Sequence, residues 1–204
     1  SNFFLQSATG LQDDDPIHVI PKSNRPFHLH SAVLSNRDLV IFGTNATQFT
    51  VSGRTKLTPN TAAIPLTAEF SLRENIRPVA VGNVLFYLST VGNFAELSEM
   101  FLLGQDEVHD RRSVSNHVPK YISTSVDSLA ADDASNQLFA WDSASDILYS
   151  YEYLWVDNTR VQSAWSKWQV PNPVLSMIFI GTTAVLATTS ATGYNLIFGE
   201  IDLT

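Results

Sequence analysis

An all-β, propeller-like fold is what this sequence predicts, on three observations. Helical periodicity is nearly absent, short apolar runs are separated by Gly, Asn, Asp and Ser clusters, and the strongest runs recur at a blade-sized interval. Those runs are Leu39-Val40-Ile41-Phe42, Val84-Leu85-Phe86-Tyr87, Leu138-Phe139-Ala140-Trp141 and Val185-Leu186-Ala187-Thr188. Their starts lie 45, 54 and 47 residues apart, a spacing that accommodates four short strands per unit. A β-sandwich would also be rich in short strands, but it has no reason to repeat at this distance.

Residues 1–26 read as an extended lead-in, because the run Asp13-Asp14-Asp15 is followed by Pro16, Pro21 and Pro26, which forbid a continuous helix. Residues 27–204 then form about four blade-like units of antiparallel strands, an incomplete arc of a larger propeller. One stretch resists the pattern. Phe94, Leu97, Phe101 and Leu102 have helical i, i+3, i+4 spacing between Gly92 and Gly104, and helix and strand fit it equally well. The third unit is the clearest, with strands expected at 128–132, 138–142, 148–155 and 160–170. The last unit shows no fourth strand, so either a further segment supplies one or the arc is open there.

With 44% hydrophobic and only 16% charged residues in 204, the chain is expected to be globular with a sizeable uncharged surface. It has no cysteine, which excludes disulfides and thiolate metal sites, and no apolar run of membrane-spanning length. The net charge of −8 is uneven: residues 1–120 carry 10 basic and 11 acidic side chains, residues 121–204 carry 2 and 9. Such acidity argues against ordinary nucleic-acid binding, which depends on Lys and Arg neutralising phosphates. It is compatible with a DNA conduit, whose wall should not hold what passes through it.

Candidates for chemistry are weak. His28 and His30 would share a strand face as half of a metal site, but no third ligand is evident nearby. Asp132-Asp133-Ala134-Ser135-Asn136 has the oxygen ligands of a calcium loop without its glycine and terminal glutamate, and a tight turn is the better reading. Glu96 and Glu99 could serve a glycosidase, although two acids at this spacing are more often solvated. No nucleophile elbow or phosphate-binding glycine loop occurs, and neither catalytic residues nor a cofactor is expected. Aromatic residues say more: Trp141, Trp155, Trp165 and Trp168 fall in one unit, and Tyr149, Tyr151 and Tyr153 alternate along one strand. They form either a layer between blades or an exposed stacking surface for sugar or single-stranded nucleic acid.

The segments Leu39 to Val51, Arg77 to Leu88, His117 to Ile122 and above all Gln162-Ser163-Ala164-Trp165-Ser166-Lys167-Trp168 resemble the tail tubular protein B, or nozzle, family of short-tailed bacteriophages. The similarity runs over nearly the whole chain, and family members are considerably longer. The resemblance implies a virion tail component: a ring of six identical subunits beneath the tail adaptor protein and near the tail fibres, around the channel by which genomic DNA leaves. It brings no catalytic residues. Arg77 and Pro78 would open a strand at an edge, Gly82 would permit a tight turn, and Trp141, Trp165 and Trp168 would supply bulk to a blade. The acids Asp127, Asp132, Asp133, Asp142, Asp146 and Asp157 are the expected channel-facing set, with Arg111 and Arg112 away from the channel or pairing between subunits. The competing reading is a propeller that binds or cleaves carbohydrate on the host surface, which would need a pocket of clustered acids and aromatics.

Overall fold

The computed structural model describes residues 10, 12–35, 37–52, 56–82, 84–103, 108–156 and 159–200. Among these there is no helix, and therefore none long and apolar enough to cross a membrane. The strands fall into four antiparallel sheets, each made from consecutive stretches of chain.

The first sheet contains β1 (Leu29–Ser35), β2 (Asp38–Gly43), β3 (Thr47–Ser52) and β4 (Leu66–Ala68), in that order. In the second, β5 (Val79–Val81), β6 (Val84–Val91), β7 (Phe94–Leu103) and β8 (Val108–Ser113) follow one another, and the short β9 (Ile122–Ser123) pairs with β7. β10 (Ser128–Asp132), β11 (Gln137–Trp141), β12 (Ile147–Val156) and β13 (Thr159–Gln169) build the third. The fourth has three strands among the described residues, β14 (Val174–Ile180), β15 (Thr183–Ser190) and β16 (Gly193–Glu200). All four recurrent apolar runs thus occupy the second strand of a separate sheet, which is where equivalent segments of successive blades belong. The first strands of the sheets also meet in succession, β1 with β5, β5 with β10 and β10 with β14, as innermost strands do around a common axis.

Period-two alternation turns this order into packing. In β6, Leu85 and Tyr87 face the first sheet and pack with Val33, Val40 and Phe42, while Phe86 and Leu88 face the third. In β11, Leu138 and Ala140 turn towards the second sheet, whereas Phe139 and Trp141 turn towards the fourth and meet Val174 and Met177. The core is therefore three layers between sheets. Each interior sheet is apolar on both faces, which is why its strands read as unbroken hydrophobic runs rather than as alternating ones.

The stretch that fitted helix and strand alike is β7. Ala95 and Leu97 join the layer towards the third sheet and Met100 the layer towards the first, so both faces are buried and the apolar spacing loses its period of two. Local turn chemistry is specific. Asn45 and Ala46 have φ of 56° and 61° between β2 and β3, with the Thr47 amide donating to the Thr44 carbonyl, the geometry of a type I′ hairpin turn. Pro78 is buried immediately before β5, Arg77 beside it is exposed, and Gly82 takes φ 54° in the β5–β6 turn. The outer face of the first sheet is partly capped by the chain that leads into it: the Phe27 ring lies 4.9 Å from that of Phe49, which is fully buried.

Candidate functional site

The densest chemistry lies where the second and third sheets face each other. Tyr149, Tyr151 and Tyr153 alternate along β12 and so point one way, into this layer, with Tyr151 fully buried and the other two nearly so. Register pairs Tyr151 with Trp165 on β13, their rings 4.9 Å apart, and the Phe86 ring reaches Tyr153 at 5.6 Å. The Trp165 indole N–H donates to the Val114 carbonyl at 3.2 Å and Tyr151 Oη donates to Ser163 Oγ at 3.3 Å. Of the two arrangements open to these tyrosines, the structure shows the layer between sheets. Burial pushes the hydroxyls of Tyr151 and Tyr153 up, and pushes that of Tyr87, in the neighbouring layer, to about 12, so all three remain neutral over the physiological range.

A charged pair crosses the same layer. The Arg160 guanidinium on β13 donates to Glu99 on β7, whose carboxylate is almost completely buried, and Arg112 approaches it at 3.9 Å. That guanidinium lies 5.4 Å from the Tyr153 ring and 6.0 Å from the Tyr151 ring, in cation–π range. Glu96, on the opposite face of β7, is paired with Arg111 and receives the Ser89 hydroxyl at 3.2 Å. The expectation of two solvated acids is therefore corrected: both are ion-paired, and Glu99 is an internal clamp between sheets. Sequence reasoning missed this because Arg160 is 61 positions away from Glu99 and no local pattern links them. At the rim of the layer Lys167 reaches over the Tyr121 and Tyr149 rings at 4.3 and 5.2 Å. Ser166 and Lys167 thus lie within β13.

The predicted tryptophans differ in environment. Trp141 is 3% exposed, Trp165 is half-buried, and Trp168 is 42% exposed, touching Phe139 edge-on at 5.1 Å. The aspartates divide between the two ends of the third sheet. Asp132 and Asp133 lie at the β10–β11 turn, where Asp132 accepts from the Ala134 and Ser135 amides, at 3.2 and 3.0 Å, and from the Ser135 hydroxyl, while Asp133 is exposed beside Gly82. At the opposite end Asp127 receives the Ser128 hydroxyl at 2.8 Å and the amide and hydroxyl of Ser143, Asp142 receives the Ala144 amide at 2.8 Å, and Asp146 receives Gln169 Nε2 at 2.9 Å. These acids hold loops in shape. Asp157 and the side chain of Trp155 lie outside the described residues.

A cavity of about 240 Å³ opens near the β6–β7 turn, lined by Val91, Phe94, Glu96, Val118, Pro119 and Lys120 among others. It offers one carboxylate, already committed to Arg111, and one aromatic ring, over which Lys120 lies at 5.8 Å.

Repeated antiparallel sheets stacked face to face, each built from consecutive strands, define a β-propeller-like protein. The chain belongs to the bacteriophage nozzle protein family, whose family model matches residues 1–203. It is similar to the tail tubular protein gp12 of Escherichia phage T7, with 29% identity over 171 residues that cover 82% of this chain and 21% of that protein. The chain thus spans about a fifth of the length of that relative. Its fold is similar to the solved structure of Hsv2p from Kluyveromyces lactis, with a TM-score of 0.51 at 9% identity over 86% of this chain and 50% of the other. A second Hsv2 structure from the same yeast aligns with a TM-score of 0.46 over 78% and 46% of the two chains.

Proposed function

We propose that this chain forms part of the wall of a phage tail nozzle, a structural element of the channel through which the genome leaves. The observation that carries this reading is the family match along residues 1–203. The fold is consistent with it, since interlocked sheets make a stiff wall, and charged groups such as Glu99 and Arg160 are spent on holding sheets together. In this reading six identical subunits form a ring that meets the tail adaptor and lies near the tail fibres, and turnover of a substrate is no part of the role.

The acidic second half of the chain then faces phosphate that must not be held. Repulsion over about 8 Å at physiological salt acts only near the wall and keeps a duplex off it. Because the aspartates occupy both ends of the third sheet, one end is presented to the channel. Asp133→Lys and Asp146→Lys, one at each end, identify which. Virions carrying one of the two should eject DNA more slowly at low salt, with the delay shrinking as salt rises, while the melting temperature of the purified chain stays unchanged for Asp133→Lys and falls slightly for Asp146→Lys, which also loses the Gln169 hydrogen bond. Normal ejection in both variants would remove the acidic-wall part of this reading. Cleavage of host-surface polysaccharide by the purified chain would replace the structural reading with an enzymatic one.

A further inference from the structure

The cavity at the β6–β7 turn combines features that the packing of the sheets does not require. Its walls are mostly apolar, from Val91, Phe94, Ala95, Val118 and Pro119, and its volume is about 240 Å³. An apolar cavity of about 150 Å³ already accepts a benzene ring, so this one has room for a ring or a branched aliphatic group with a short polar appendage. The carboxylate at its edge is neutralised, because Glu96 is paired with Arg111. Lys120, also on the lining, is different. Among the described residues its ammonium meets the Phe94 ring at 5.8 Å and forms no ion pair.

Backbone geometry puts that cation there at a cost. Val118, Pro119, Lys120 and Tyr121 form a turn closed by the Tyr121 amide, which donates to the Val118 carbonyl at 3.2 Å, and Lys120, its third residue, has φ 70°. Proline second and a positive φ third mark a type II turn, whose third position favours glycine. A lysine there is strained, and the strained turn holds its ammonium beside the cavity. We propose that the cavity binds a carboxylate with a compact apolar body, the body lying among Phe94, Val118 and Pro119 and the carboxylate on Lys120. Charge and apolarity select this class together. A cationic ligand would meet an unpaired ammonium, and a sugar would leave its hydroxyls against apolar walls. A free aryl acid and the last residue of a polypeptide ending in phenylalanine offer the same chemistry. The site is independent of the acidic-wall reading.

NMR titration of the chain tests it, following the methyl signals of Val91 and Val118. Phenylpropionate should shift them saturably, phenylpropionamide should bind about fivefold more weakly for want of the ion pair, and acetate should leave them unchanged. Lys120→Gly separates the site from the fold, since it removes the cation and the left-handed side chain together. It should raise the melting temperature while weakening phenylpropionate about fivefold. Short peptides ending in phenylalanine decide the source: a free-acid peptide that binds more tightly than phenylpropionate identifies a chain terminus as the ligand, and one that binds more weakly identifies a small acid. Absence of any shift with phenylpropionate, equal affinity for the acid and its amide, or equal affinity of the Lys120→Gly and unaltered chains would each overturn the proposal. So would acetate binding as well as phenylpropionate, which would reduce Lys120 to an ordinary surface cation.

Discussion

The second and third sheets meet across a face that contains a buried carboxylate, a guanidinium and three tyrosines, whereas the third and fourth meet through Phe139, Trp141, Leu148, Val174 and Met177. Both layers exclude water, but they specify different things. Apolar contact gains with area and tolerates small slips, because no single atom pair dominates. A buried ion pair is unforgiving: displaced by one residue, both charges would remain desolvated without compensation. The first layer is therefore expected to fix how two sheets are aligned, and the second to supply cohesion between sheets whose alignment is set by strand order alone.

The largest effects should separate these roles. Arg160→Met leaves Glu99 buried without its guanidinium and should cost roughly 3–5 kcal/mol in denaturant unfolding. The double change Glu99→Met with Arg160→Met should restore most of that loss, and a double variant as weak as the single one would show that the pair contributes stability rather than alignment. In the apolar layer Trp141→Ala should cost roughly 3–5 kcal/mol, since a large buried ring leaves a cavity. Trp168→Ala in the isolated chain should cost less than about 1.5 kcal/mol because much of that ring is already in water. Equal costs at the two tryptophans would mean that the uncovered part of β13 is covered in solution.

Alkaline titration distinguishes the layers by chemistry. The folded values of Tyr151 and Tyr153 lie above the ordinary tyrosine value of about 10, so the unfolded chain loses those protons first. Stability is fully present below pH 10 and falls as pH rises beyond it; for Tyr87 the fall levels off near pH 12. Tyr151→Phe with Tyr153→Phe should flatten that decline in melting temperature measured from pH 9 to 11. An unchanged slope would mean that these hydroxyls are reached by water in the folded protein. The smallest effect is expected away from both layers, at the β2–β3 hairpin. Ala46→Gly relieves a left-handed alanine and should stabilise by about 0.5–1 kcal/mol in the same unfolding assay.

What could be read from the sequence follows the reach of each interaction. The second strands of all four sheets, and every strand of the third, announced themselves because their signals are local: β-branched and aromatic runs closed by turn residues. β7 did not, since burial on both faces erased its alternation. The tyrosines of β12 were legible as a single face, but whether that face was covered depended on Phe86 and Val114 in another sheet. Trp165 and Trp168 looked alike in sequence and differ in burial, because Trp165 turns towards the second sheet and Trp168 towards the fourth. The Arg160–Glu99 clamp was hidden for the same reason of distance.

Because every sheet is made from one continuous stretch of chain, the molecule also has a schedule. During synthesis each sheet is complete before its neighbour exists. Successive sheets are separated by 45, 54 and 47 residues at their second strands, and at about 5–20 residues per second a ribosome delivers the next covering face after roughly 2–11 s. For that interval the newest sheet presents one bare apolar face to the cell. The first sheet is spared part of this exposure on its other side, since Phe27 is made before the strand it caps and is already at hand when Phe49 emerges. The waiting time is longest before the third sheet, so the faces of β6 and β7 that will receive the tyrosines of β12 are where a holding chaperone is expected to engage the growing chain.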